Sequence, residues 1–130
     1  MHSSLPQYVA DQLVEELAHF DQAPSAFFQA WKRGVALAGT RWFGAGTQAG
    51  WEQATSKWDL CPNVLSIDDA LGVLSPSERM FLSAMVSVYD TRDGGKMLKH
   101  AGFKGLADFS GLDMPRRKVI ADLILNYNGW

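Results

Sequence analysis

Residues 44–49, Gly-Ala-Gly-Thr-Gln-Ala, are one place where residue types and spacing could support chemistry. They satisfy the dinucleotide-binding fingerprint, in which glycines allow a tight turn and a close approach of pyrophosphate to the backbone. The fingerprint works only after a buried strand and inside a βαβ unit. Residues 38–43 are too short and too interrupted by glycine to form such a strand. We therefore expect a loop or a helix-packing role for these glycines and no cofactor.

Residues 90–95, Asp-Thr-Arg-Asp-Gly-Gly, invite comparison with a calcium-binding loop. Such a loop needs oxygen ligands at positions one, three and five and a bidentate carboxylate at position twelve. Counted from Asp90, those positions hold Asp90, Arg92, Gly94 and Ala101. A guanidinium at the third position would repel the cation. The sequence therefore predicts a solvated loop between two helices here, and no metal site.

Histidine and cysteine are the remaining residue types that commonly carry catalysis. His2, His19 and His100 are scattered, and none has a partner at a useful spacing. Cys61 is the single cysteine, which excludes an internal disulfide and is typical of a reducing compartment. No serine or cysteine lies in a nucleophile motif, and spacing alone pairs no carboxylates across a cleft. We therefore expect a protein that is not an enzyme.

Positive charge is concentrated between residues 92 and 118, where seven Lys or Arg face three Asp, a local balance of 7 − 3 = +4. Clustered cations are the main requirement for phosphate contacts, so DNA or RNA binding is an alternative function. A helix-turn-helix can almost be traced through residues 97–103, but the residues that follow make a poor recognition helix. The candidate nucleic-acid-binding residues are Lys96, Lys99, Lys104, Arg116, Arg117 and Lys118.

Aromatic residues are concentrated between residues 27 and 58, where four of the five tryptophans lie. Large aromatic side chains at helical spacing are more often core than interface, but a chain of this size has limited room for so many rings. We expect one or two to be exposed, and exposed aromatics near an arginine are enriched at binding surfaces. The candidate protein-binding residues are Trp31, Arg41, Trp42, Trp51 and Trp58. The favoured function is a small accessory or regulatory protein that binds another protein, or itself, through this surface.

The helix whose boundaries the sequence predicts most clearly runs from Pro76 to about Tyr89. Ser75 is a favourable N-cap, Pro76 occupies the first helical position, and Glu78 completes a capping box. Apolar residues then recur at spacings of one, three and four, which is typical of a helix with one buried face.

Helical periodicity continues on both sides of this element. We expect a helix capped by Ser3 or Ser4 that ends at residues 21–24, and a second that begins at Ser25. Further predicted helical segments cover residues 47–57, a short element with a Ser66–Asp69 capping box, residues 96–101, a turn at 106–109, and a last helix capped by Asp113.

Length and composition support one folded unit. The chain has 130 residues, 47% of them hydrophobic, with a net charge of −2. That is enough chain for a self-sufficient core. The sequence has no internal repeat and no strand-like alternation longer than a few residues, so it predicts an all-α single domain over residues 1–130, a bundle of five to six helices. The N-terminus lacks a signal-peptide pattern and no apolar run is long enough to span a bilayer, so a cytoplasmic location is expected.

Overall fold

The computed structural model describes residues 5–130 and contains six α-helices. These are α1 (Gln7–Ala38), α2 (Gln48–Gln53), α3 (Val64–Ala70), α4 (Pro76–Tyr89), α5 (Thr91–His100) and α6 (Met114–Asn126). Short 3-10 turns cover Thr40–Trp42, Lys57–Leu60, Leu71–Val73 and Leu106–Gly111. The described part of the chain has no strand, and the predicted all-α bundle is confirmed. The predicted caps Ser3 and Ser4, and His2, lie outside the described residues.

α1 is one helix of 32 residues, so the predicted break at residues 21–24 is wrong. Pro24 lies inside the helix, where it lacks the N–H that would bond the carbonyl of Phe20. Helix α6 runs antiparallel along α1 and holds it on both sides of this position. The Nε2 atom of His19 donates a hydrogen bond to the carbonyl of Leu125 at 2.9 Å, and Arg33 pairs with Asp122 at 2.6 Å. Tertiary contact therefore offsets the cost of one missing hydrogen bond.

A single core lies between α1, α4 and α6, and Trp31 of α1 is at its centre with no exposed surface. Gly34, one turn further along α1, faces side chains of both other helices. A Cβ atom there would lie 2.7 Å from Cε of Met85 on α4 and 2.9 Å from Cγ1 of Val119 on α6. An alanine at this position would force the side chains of Met85 and Val119 to shift, so the packing favours the glycine that weakens the helix by propensity.

Helix α4 has the predicted limits, and its N-cap Ser75 accepts a hydrogen bond from the Glu78 amide at 3.3 Å. The solvated loop predicted at residues 90–95 is wrong, because α5 begins at Thr91. Asp90 caps α5 by accepting bonds from the amides of Arg92 and Asp93, both at 3.0 Å. The carboxylate that resembled a calcium ligand is a helix cap.

Gly94 of α5 lies against the backbone of α4. An added Cβ would lie 2.1 Å from both Cα and N of Ser87, which no side chain tolerates. Gly94 is therefore a contact point of two helices. Gly95, the next residue, has no atom within 4 Å of such a Cβ.

Other predicted boundaries also change. α2 ends at Gln53 rather than Lys57, with Thr47 as its N-cap. α3 begins at Val64, so Ser66 is inside the helix and the predicted Ser66–Asp69 capping box is wrong. Burial of Ile67 against the core fixes α3 instead. Asp113 caps α6 as predicted, accepting from the Arg116 amide at 3.0 Å.

The adjacent glycines Gly94 and Gly95 provide a matched pair of variants. Gly94→Ala should lower the free energy of unfolding by about 2 kcal/mol or more, because α4 and α5 must separate. Gly95→Ala should raise it by about 0.5–1 kcal/mol, since alanine favours the helix and meets nothing. Urea denaturation followed by circular dichroism measures both. Equal effects of the two substitutions would contradict the close contact of α4 and α5.

Candidate protein-binding site

Two of the predicted binding residues, Trp31 and Trp42, are buried, with 0% and 8% of their surface exposed. Trp31 lies on the buried side of α1 and faces the core. Its Nε1 donates a hydrogen bond to the carbonyl of Leu60 at 2.9 Å. Trp42 is covered in part by Arg41, whose guanidinium lies 4.2 Å from the ring centroid. The prediction that Trp31 and Trp42 present a binding surface is therefore wrong. Arg41 itself is exposed.

Trp51 of α2 is half-buried on the outer side of α1. Its Nε1 donates to the carbonyl of Lys32 at 2.8 Å, and the Nζ atom of Lys32 lies 5.1 Å from its ring centroid. The ring forms one wall of an open apolar groove of about 660 Å³ between α1, α2 and the start of α6. Met114 and Lys118 of α6 also line this groove.

Trp58 is the one tryptophan with most of its surface, 60%, in solvent. It lies in the 3-10 turn Lys57–Leu60, whose start is capped by the Asp59 carboxylate. The Asp59 carboxylate accepts bonds from the amides of Thr55 at 3.0 Å and Ser56 at 3.2 Å. These backbone bonds lower the pKa of Asp59 from its usual value of 3.8. The turn therefore holds Trp58 outward by local hydrogen bonding.

Lys57 supports Trp58 from the protein side. Its Nζ lies between 5.3 and 5.5 Å from the ring centroids of Phe27, Trp58 and Trp130, and donates to the carbonyl of Gly129 at 2.7 Å. Partial burial lowers the pKa of Lys57 from its usual value of 10.5. Trp130 also contacts Trp58 edge-on, with centroids 5.9 Å apart. No sequence pattern pointed to Lys57 or Trp130, because 72 residues separate Lys57 from Gly129.

Beside Trp58 is a second open groove, of about 430 Å³. Its walls come from α1, the turn that carries Trp58, and the chain after α6; they include Pro24, Phe28, Lys57, Trp58 and Asn128. The side chain of Lys32 connects this groove with the groove at Trp51, since its Nζ lies 5.9 Å from the ring centroid of Phe28. Aromatic and apolar surface therefore continues along the outer side of α1.

The six cations of the nucleic-acid alternative are not equivalent. Arg116 donates to Asp113 at 2.6 Å and to the carbonyl of Leu37 at 3.1 Å, and its guanidinium lies 5.6 Å from the Phe81 ring centroid. This explains why a cation stands at the start of α6, where the helix dipole disfavours it.

The guanidinium of Arg117 is also bonded to backbone carbonyls. It donates to the carbonyls of Leu112, at 2.7 Å, and Ser110. Of the remaining cations, Lys96 and Lys99 are exposed on α5, which packs on α4, and Lys104 lies in the following turn. Lys118 is exposed on α6, which packs on α1.

The dinucleotide-like residues 44–49 are a turn followed by the short helix α2, and an isolated bridge between Phe43 and Pro62 precedes them in place of a strand. Gly44 and Gly46 have φ angles of +57° and +76°, which favour glycine. A Cβ at Gly44 would lie 2.2 Å from the Asp59 carbonyl oxygen. Gly44 therefore lets this turn approach the segment that carries Trp58.

Comparison of the chain with protein-family models, with curated proteins and with solved structures finds no match. Among the helices of residues 5–130, none combines the length and apolar character needed to cross a membrane.

The Asp59 cap predicts an acid dependence of stability. Because folding lowers the pKa of Asp59, its contribution is complete above the unfolded pKa near 3.8 and is lost as the pH falls through the folded value. Between about pH 5 and pH 2.5 the wild type should lose more stability than Asp59→Asn, which keeps an acceptor but no titrating charge. Urea denaturation at each pH measures this difference. Parallel curves for the two proteins would show that Asp59 does not cap the turn.

Proposed function

We propose that this chain is a non-enzymatic accessory or regulatory protein that binds another protein, with Trp58 as the central anchor. The observation that carries the proposal is that Trp58 is 60% exposed and yet held in one orientation by Lys57, Trp130 and the Asp59 cap. An ordinary surface tryptophan would gain by turning its ring against the core. Here Lys57 lies over the ring and Trp130 contacts it, while most of the surface of the ring stays in solvent.

A fixed, exposed indole suits binding because little side-chain freedom is lost when a partner covers it. Tryptophan is enriched among the few residues that dominate interface energies, and truncation of such residues costs about 2 kcal/mol or more. Immobilising a free side chain on binding costs roughly 0.5–1.5 kcal/mol of conformational free energy. The contacts of Trp58 with its neighbours reduce this cost, because they already restrict the side chain in the unbound protein. The grooves beside Trp58 and Trp51 would then receive apolar side chains of the partner.

The proposed surface runs along α1 from Pro24 to Leu37, which line its two grooves. Thirteen residues separate them, or about 20 Å of helix. Its rim carries Lys32 and Lys118, and also Arg33, which pairs with Asp122 of α6. A partner helix with an apolar face and acidic flanks would complement it in shape and charge.

Capture experiments test the role of Trp58. The immobilised wild type should retain at least one host protein that Trp58→Ala loses, because the anchor surface is gone. Leu65→Ala is the matched control, since Leu65 is 83% exposed on α3 and outside both grooves, and it should capture as the wild type does. A capture pattern identical for all three proteins would refute the role of Trp58.

Nucleic-acid binding through the basic stretch is the second proposal, and Lys96, Lys99, Lys104 and Lys118 are the cations left to support it. Affinity for duplex DNA or for RNA should then fall by ten-fold or more between about 50 and 200 mM salt. It should fall again when these four lysines become Ala. Binding that changes neither with salt nor with these substitutions would contradict nucleic-acid binding through the basic stretch.

We also propose a cytoplasmic location, because Cys61 is a single unpaired cysteine. Either function agrees with this location.

A further inference from the structure

The ammonium group of Lys57 lies beside the groove of about 430 Å³ next to Trp58, which we call the Trp58 groove. Its Nζ atom is 5.5 Å from the ring centroids of both Phe27 and Trp58, and it donates to the carbonyl of Gly129 at 2.7 Å. All three of these contact residues line the groove, as Lys57 itself does. A positive charge therefore lies next to the space that a ligand would fill.

The lining of the Trp58 groove has charge of one sign. Among the described residues that line it, Lys57 is the only charged one and none is Asp or Glu. The remaining polar side chains of the lining are neutral hydroxyl or amide groups: Ser25, Gln29, Thr55, Ser56, Asn126 and Asn128. A cleft with charge of one sign and apolar walls concentrates the electric field, so this groove attracts anions.

The charge of Lys57 has no partner of opposite sign. In the described part of the chain both ion pairs are made by arginines, and Lys57 takes part in neither. An ammonium has three N–H donors, and the carbonyl of Gly129 accepts from one of them. The nearest acid in the sequence, Asp59, accepts instead from two backbone amides. Partial burial lowers the pKa of Lys57, because the ammonium has lost part of its hydration.

A second ammonium lies at the same groove. The Nζ atom of Lys32 is 5.9 Å from the ring centroid of Phe28, which also lines the Trp58 groove. Its hydrogen-bond partners are the backbone carbonyls of Glu52, at 3.3 Å, and Ala54, at 3.4 Å. Lys32 is likewise absent from the ion pairs of the described residues. The groove thus combines aromatic rings with two cations that lack a carboxylate.

We propose that the Trp58 groove receives an acidic side chain of the protein partner, with an apolar side chain next to it, and that Lys57 selects the carboxylate. The carboxylate would accept charge-assisted hydrogen bonds from the free donors of the ammonium, and the apolar side chain would pack on Phe28. An amide of the same shape offers no charge, and a cationic side chain would be repelled. This inference rests on the function proposed above and names the chemistry of the partner.

Three capped tripeptides that differ in one group test the selection. The probes are acetyl-Leu-Asp-Leu-amide and the same peptide with Asn or Lys at its centre, added to the ¹⁵N-labelled full chain in about 20 mM salt. The Asp peptide should shift the NMR signal of the Trp58 indole N–H. Its dissociation constant should be lower than that of the Asn peptide by about three-fold or more, because the ion pair forms at a partly exposed site. The Lys peptide should bind more weakly than either.

Variants assign the preference to Lys57. Lys57→Met keeps an unbranched apolar side chain and removes the charge, so the Asp and Asn peptides should bind it equally. Lys57→Arg keeps the charge and should keep the preference. Lys96→Met is the matched control: it removes the same charge from an exposed position of α5 outside the groove, and it should behave as the wild type does. Circular dichroism verifies that each variant stays folded.

Three results would overturn the selection by Lys57. They are equal affinity of the wild type for the Asp and Asn peptides, no binding of either at about 10 mM, and a preference that persists in Lys57→Met. The capture experiment with Trp58→Ala separates this inference from the function on which it rests. Capture without a preference for the Asp peptide would contradict only the role of Lys57. A preference without any captured protein would contradict a protein as the source of the carboxylate.

Discussion

The burial of Trp31 is the interaction on which the rest of this structure depends. Its ring lies between Phe43, at 5.7 Å, and Trp130, at 4.7 Å between centroids, and its single donor is satisfied by the carbonyl of Leu60. A buried indole needs that partner, because an unpaired N–H in a core costs as much as a lost hydrogen bond. One side chain thus ties α1 to the segment that carries Trp58 and to the end of the chain.

This arrangement divides α1 into two halves with different surroundings. From Ala23 onward its inner face is covered and its outer side forms the walls of the two grooves. Before Ala23 the same inner face continues with almost no cover, apart from the contact of His19 with Leu125 of α6. This division arises because a helix of 32 residues is longer than the body that packs on it. The exposed residues 7–22 carry four Asp or Glu and no Lys or Arg.

Close packing elsewhere depends on small residues at helix contacts. Gly34 admits Met85 and Val119 to α1, and Gly94 allows α5 to lie on the backbone of α4. Both positions would be unfavourable in isolated helices, since glycine is a poor helix former. The loss is offset by the dispersion contacts that a close approach allows. The arginines at the start of α6 are also stabilised by carbonyl partners, since Arg116 donates to Leu37 of α1 and Arg117 to the nearby Leu112, and these bonds offset an unfavourable helix dipole.

The sequence by itself determined the all-α class and the starts of α4 and α6, because the caps at Ser75 and Asp113 act within one helical turn. It also determined that aromatic residues would be too many for all to be buried. Only the tertiary structure decided that Trp31 and Trp42 are inside and Trp58 outside, since the three have similar local sequence signals and differ in what long-range neighbours cover them. The same reason explains the continuous helix through Pro24 and the helical Gly94: both depend on contacts with residues distant in sequence, which no local pattern encodes.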